Sequence, residues 1–78
     1  MNTNFSEIKE YFVILDITDE VPSFITVTAE KTDRLNLTER FLNLKEAKKA
    51  IRAYSKFGNE KYAVAKIIEA HSYKVDLI

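Results

Sequence analysis

The sequence predicts an α+β fold: a mainly antiparallel sheet of three to four strands with one helix packed on one face, in β-β-β-α-β order. Three observations carry this. Residues 11–30 are dense in β-branched and aromatic side chains that alternate with polar ones. Residues 42–58 repeat apolar side chains at helical spacing between a start and a stop signal. Residues 61–78 contain no Pro, Gly or Asn and return to strand-like alternation.

Residues 1–9 are polar apart from Met1, Phe5 and Ile8, and are expected to form a flexible arm. Residues 11–18 read as the first strand. Tyr11, Val13, Leu15 and Ile17 form a wholly apolar row facing the core, while the other row fades from Phe12 and Ile14 to Asp16 and Thr18. Asp19, Glu20, Val21 and Pro22 make a hairpin loop. Residues 23–30 resume the alternation as a second strand, the polar break Lys31-Thr32-Asp33 follows, and residues 34–41 read as a third strand.

Asn43 then stands as an N-cap, with Glu46 in capping-box position and Leu42 placed to staple onto Ala47. Leu44, Ala47, Ile51 and Tyr54 form the apolar stripe of the helix, and Gly58, the single glycine, fits its C-cap. In the last segment, Tyr62, Val64, Ile68 and Ala70 set one parity and Tyr73, Val75 and Leu77 the other. The switch near His71 predicts a bulge, a bend or a break into two strands.

Seventy-eight residues, 46% of them hydrophobic, make one small domain over residues 1–78. A core of that size rarely supplies more than about 3–5 kcal/mol, so small domains usually rely on a staple. There is no cysteine and only one histidine, which excludes a disulfide and argues against a structural zinc site. Tight packing or self-association remains, which raises the expectation of a homodimer. The first residues lack the apolar run of a signal peptide, and no apolar run reaches the length of a membrane span. A soluble protein of the cytoplasm is expected.

The formal net charge is zero, but it is unevenly placed. Lys45, Lys48, Lys49, Arg52 and Lys56 form one basic stripe on the helix, opposite the apolar one. That stripe is a candidate phosphate-contacting surface. It contains no aromatic or amide side chain for reading bases, so a solvated helix face is the favoured reading. His71 is the one candidate general base, but Glu69, Ser72 and Asp76 are only its neighbours along the chain, and no catalytic residue is assigned. Asp16, Asp19 and Glu20 cluster at the hairpin loop without the glycine and the further oxygens a cation loop needs, so no metal site is assigned. One glycine, already committed to a cap, leaves no phosphate-cradling loop and no cofactor.

If the helix covers only one sheet face, Phe12, Ile14 and Phe24, with Tyr62 and Tyr73, are the candidate protein interface. Short strands followed by Arg40-Phe41 and a helix with Leu44, Glu46, Ala47 and Ile51 resemble small accessory proteins of phages and prophages of Gram-positive bacteria. The resemblance implies a phage-encoded protein that binds a host or phage macromolecule. The expectation is a non-enzymatic protein-interaction module with an unidentified protein partner; the alternative is a nucleic-acid binder using the basic helix.

Overall fold

The computed structural model describes residues 2–54 and 61–76. Its elements are β1 (Asn2–Asp16), β2 (Ser23–Ile25), β3 (Lys31–Thr32), a 3-10 turn (Leu35–Leu37), α1 (Leu44–Tyr54) and β4 (Tyr62–Asp76). The four strands form one antiparallel sheet in the order β3-β2-β1-β4, and the α+β class and β-β-β-α-β order are those the sequence predicts.

The dominant feature is the β1–β4 ladder, which runs without interruption from Asn2 opposite Asp76 to Asp16 opposite Tyr62. Two expectations fail here. Residues 2–9 are not an arm but the outer half of β1, and β4 has neither bulge nor break at His71. The physical reason is common to both. A long antiparallel partner satisfies backbone N–H and C=O groups whatever the side chains are, so polar residues extend the ladder with no hydrophobic alternation to announce them.

β2 is much shorter than its apolar pattern suggests. The chain turns after Thr26: the Ala29 N–H donates to Thr26 O (3.0 Å) and the Thr26 N–H to Glu30 O (2.9 Å). Ala29 takes φ 63°, completing a three-residue hairpin loop of a type I turn plus a left-handed residue. Glycine ordinarily fills that position, and its absence hid the turn. The Thr26 hydroxyl supports the loop by accepting from the Glu30 N–H (3.1 Å). Lys31 and Thr32, expected to be a break, therefore form β3 against β2. Ala29→Gly should raise stability by about 1 kcal/mol, since a Cβ in the left-handed region costs about 1–2 kcal/mol, partly offset by the greater freedom of unfolded glycine. A thermal melt that is lowered by this substitution would contradict the loop geometry.

The expected third strand, residues 34–41, is instead a 3-10 turn followed by two isolated bridges, Thr26 with Thr38 and Phe12 with Phe41. Its leucines alternate, but the segment must return from the outer strand to β1, and local bonds fold it. The Arg34 N–H donates to the Thr32 hydroxyl (3.1 Å), and the Thr38 hydroxyl donates to Arg34 O (3.0 Å).

The helix begins as expected, with Asn43 Oδ1 accepting from the Glu46 N–H (2.9 Å). The staple does not form, because Leu42 is 90% exposed. The C-cap expected at Gly58 lies outside the described residues. Among those described, the buried apolar side chains are Tyr11, Val13, Ile14, Ile25 and Ala47, a thin core gathered at one end of the ladder. Direct opposition puts Tyr11, Val13 and Leu15 on one face with Ala63, Ala65 and Ile67, and Phe12, Ile14 and Asp16 on the other with Tyr62, Val64 and Lys66. The Tyr54 ring of α1 packs at 5.9 Å on Tyr62, placing the end of the helix on this second face. The opposite face is covered around Tyr11 by Arg40, whose Cζ lies 4.5 Å from the ring centroid. Both faces are thus buried at this end, as Val13 at 0% and Ile14 at 1% exposure show.

Candidate functional site

Among the described residues, the exposed apolar surface lies at one end of the sheet, not on one face. Residues 2–10 pair with 68–76 as a two-stranded ribbon, and the side chains of residues 4–10 are all exposed, as are those of 68–76 apart from the partly covered Glu69. A helix of eleven residues spans about 16 Å, whereas a strand of fifteen spans about 50 Å. The cover ends before the ladder does. The molecule measures 57 × 24 × 19 Å, and its Cα radius of gyration of 16.4 Å exceeds the roughly 11.5 Å of a compact chain this long.

The ribbon carries apolar groups on both faces. Phe5 and Tyr73 are opposite each other and stack with centroids 5.7 Å apart, and Val75 shares their face. Ile8 (69% exposed), Ile68 (63%) and Ala70 lie on the other. The charged groups of these two segments are Glu7, Glu10, Glu69 and Asp76 against Lys9 and Lys74, an acidic excess unsuited to phosphate.

Where ribbon and core meet, a polar cluster ties the two long strands. The Tyr11 hydroxyl donates to Glu69 Oε1, His71 Nε2 lies 3.1 Å from Glu69 Oε2, and Arg40 reaches Glu69 at 4.0 Å. Burial and then the Glu69 hydrogen bond raise the Tyr11 phenol above its ordinary value, keeping it a donor. The hydrogen bonds from Tyr11 and then His71 hold the Glu69 carboxyl below its own. Glu69 is thus more than a chain neighbour of His71. The two stand two residues apart on one face of a strand, a period-two relation the sequence contains. The Tyr11 contact spans 58 positions and needed the register. His71 is exposed, and the cluster joins β1 to β4 across the ladder.

Of the acids at the hairpin loop, Asp16 and Asp19 meet Lys31, whose Nζ lies 3.3 Å from Asp16 Oδ2 and 3.9 Å from Asp19 Oδ2. On α1, Lys45, Lys48, Lys49 and Arg52 are exposed, and Lys45, Lys49 and Arg52 line a shallow depression with Ala53. Lys56 lies outside the described residues.

Of the candidate interface residues, Ile14 must be corrected, since it lies in the core and offers no surface. Phe12, Phe24 and Tyr62 are half-buried: Phe12 and Tyr62 lie on the face on which α1 closes, and Phe24, opposite Leu15, lies on the other face. Tyr73 is exposed and belongs to the ribbon. Phe5, Ile8 and Ile68, which the sequence did not single out, join it there. Their signal was present as apolar residues isolated in polar or mixed surroundings on strands that pair. Among the described residues, no helix is long and apolar enough to cross a membrane. Compared with protein-family models, curated proteins and solved structures, the chain matches none.

Proposed function

We propose that the protein is a non-enzymatic interaction module of the cytoplasm that binds another protein through the ribbon of residues 2–10 and 68–76. The observation that carries this is the long ladder whose outer end, among the described residues, exposes apolar side chains on both faces. A two-stranded ribbon is marginal in water, and an exposed apolar strand pair gains by being covered. Its mixture of stacked aromatics, aliphatics and an acidic charge excess suits a protein surface. A small adaptor of this kind fits the likeness to phage-encoded accessory proteins. The second reading, nucleic-acid binding by α1, draws on the depression lined by Lys45, Lys49 and Arg52.

Affinity capture with the full chain separates the two. Ile8→Lys with Ile68→Lys should abolish retention of a protein partner, while Lys48→Glu, Lys49→Glu and Arg52→Glu together leave it intact. If the helix reversal alone abolishes binding, and a bound nucleic acid shows a log–log salt slope near about −3.6, as four phosphate contacts require, the ribbon reading is overturned.

A further inference from the structure

We propose that the partner of the ribbon includes a second copy of this chain, joined by antiparallel pairing of β4 with β4 about a two-fold axis at His71. The inference deepens the reading of the ribbon as an association surface by naming an occupant and a register.

The free edge comes first. Phe12 exchanges backbone hydrogen bonds with Phe41, both 2.8 Å, so even-numbered residues of β1 direct their N–H and C=O groups away from β4. Odd residues of β1 therefore bond to β4, where each is opposed by an odd residue, such as Tyr11 by Ile67. The even residues of β4, from Lys66 to Asp76, must direct their amides outward. β4 is the terminal strand of the sheet, fifteen residues long, with no proline and no partner strand on that edge among the described residues. Such an edge is a template for another strand.

Self-pairing then restricts the register. Residues whose amides point outward must face one another, so even residues oppose even ones. With His71 on the axis, Lys66 faces Asp76 of the second copy, and Asp76 faces Lys66, giving two cross-strand ion pairs. Ile67 faces Val75, again twice, and no two carboxylates or ammonium groups are opposed. Lys66 already reaches Glu10 within its own chain (3.2 Å), so each ion pair extends an existing one. Neighbouring registers are worse: centring on Ala70 sets Lys66 against Lys74, and centring on Glu69 sets that residue against itself.

Surface area agrees. The chain exposes 6267 Å², about 1,400 Å² more than the roughly 4,900 Å² of a globular monomer of 9.0 kDa. That excess is larger than the roughly 800 Å² each partner buries in a standard interface. Pairing the ribbons edge to edge also converts two marginal two-stranded ribbons into one four-stranded sheet. The outer edge of β1 is a shorter competitor, with Glu7 facing Lys9 about an axis at Ile8. There, however, Phe41 occupies the edge from Phe12 onward.

The cysteine-free sequence allows a direct test. In this register, residue 71 forms a non-hydrogen-bonded pair with its counterpart, with Cα atoms about 4.5 Å apart, within disulfide range. His71→Cys should form a disulfide-linked dimer in air. Tyr73→Cys should not, because its counterpart lies about 13 Å along the strand. Sedimentation of the unmodified full chain should give twice 9.0 kDa. Asp76→Lys should weaken the dimer about tenfold, and Lys66→Asp with Asp76→Lys should restore it. A mass of 9.0 kDa at every concentration overturns the proposal. So does cross-linking through Ile8→Cys in place of His71→Cys, or a double charge swap that fails to restore association. Because the proposed function is read by capture of a different protein, a monomeric result would leave it standing.

Discussion

Replacing Ile14 with alanine should leave the protein largely unfolded at room temperature. Ile14 is 1% exposed, on the face of the ladder that α1 closes, and it is one of the two largest fully buried side chains among the described residues. Removing its outer carbons loses their transfer free energy and leaves a cavity, together about 2–5 kcal/mol. The whole domain has only about 3–5 kcal/mol to lose, since the core is small and lacks a disulfide. Urea titration followed by circular dichroism should therefore show little or no folded baseline for Ile14→Ala. Ile14→Val should remain folded, at a cost of about 0.5–1.5 kcal/mol. Ile8→Ala on the ribbon should stay within about 0.5 kcal/mol in the monomer. Equal costs for Ile8→Ala and Ile14→Ala would mean that the core does not lie at one end of the ladder.

The second large effect is expected at Asp16. This carboxylate is buried where β1 ends. Its Oδ1 accepts from the Thr18 N–H (2.9 Å), its Oδ2 faces Lys31 Nζ at 3.3 Å, and the Thr18 hydroxyl in turn accepts from the Lys61 N–H (2.9 Å) just before β4. Burial pushes the carboxyl upward, but the Thr18 hydrogen bonds and Lys31 outweigh it, so the group lies below its ordinary 3.8. A carboxyl lowered by folding contributes stability that is fully present above its unfolded value and is lost as pH falls through the folded one. Asp16→Asn keeps an oxygen for Thr18 but no charge for Lys31, and should cost about 1–3 kcal/mol at neutral pH. Its loss of stability on acidification should also be shallower than that of the parent chain. Some acid sensitivity will remain from Glu69, whose carboxyl is lowered too. Parallel pH profiles for the two proteins would show that Asp16 is not a source of acid sensitivity.

What could be read without the structure was local. The cap at Asn43, the helix stripe and the loop at Asp19 to Pro22 each depend on residues within one or two turns of chain, and local chemistry states them directly. The turn at Ala29 is local as well, yet illegible, because alanine occupies a left-handed position that glycine would have announced. The leucines at 35 and 37 alternate like a strand and form a 3-10 turn, because the segment has to return from β3 to β1, which it reaches where Phe41 bridges Phe12. The candidate site was half legible. Tyr73 was named, but for a sheet face that the helix was thought to leave open.

The sequence by itself determined the fold class, the β-β-β-α-β order, the helix and the apolar row of Tyr11, Val13 and Leu15, because a period of two or of 3.6 is set by backbone geometry alone. Only the tertiary structure decided how far along the strands the cover extends. The pairing of residues 2–10 with 68–76 rests on backbone hydrogen bonds that leave no side-chain pattern. The parity switch near His71 falls within the uncovered ribbon, where neither row of side chains has to be apolar. The surplus apolar surface that sequence alone distributes over a face is, in three dimensions, gathered at an end, since a helix rising 1.5 Å per residue cannot span strands that rise more than twice as fast.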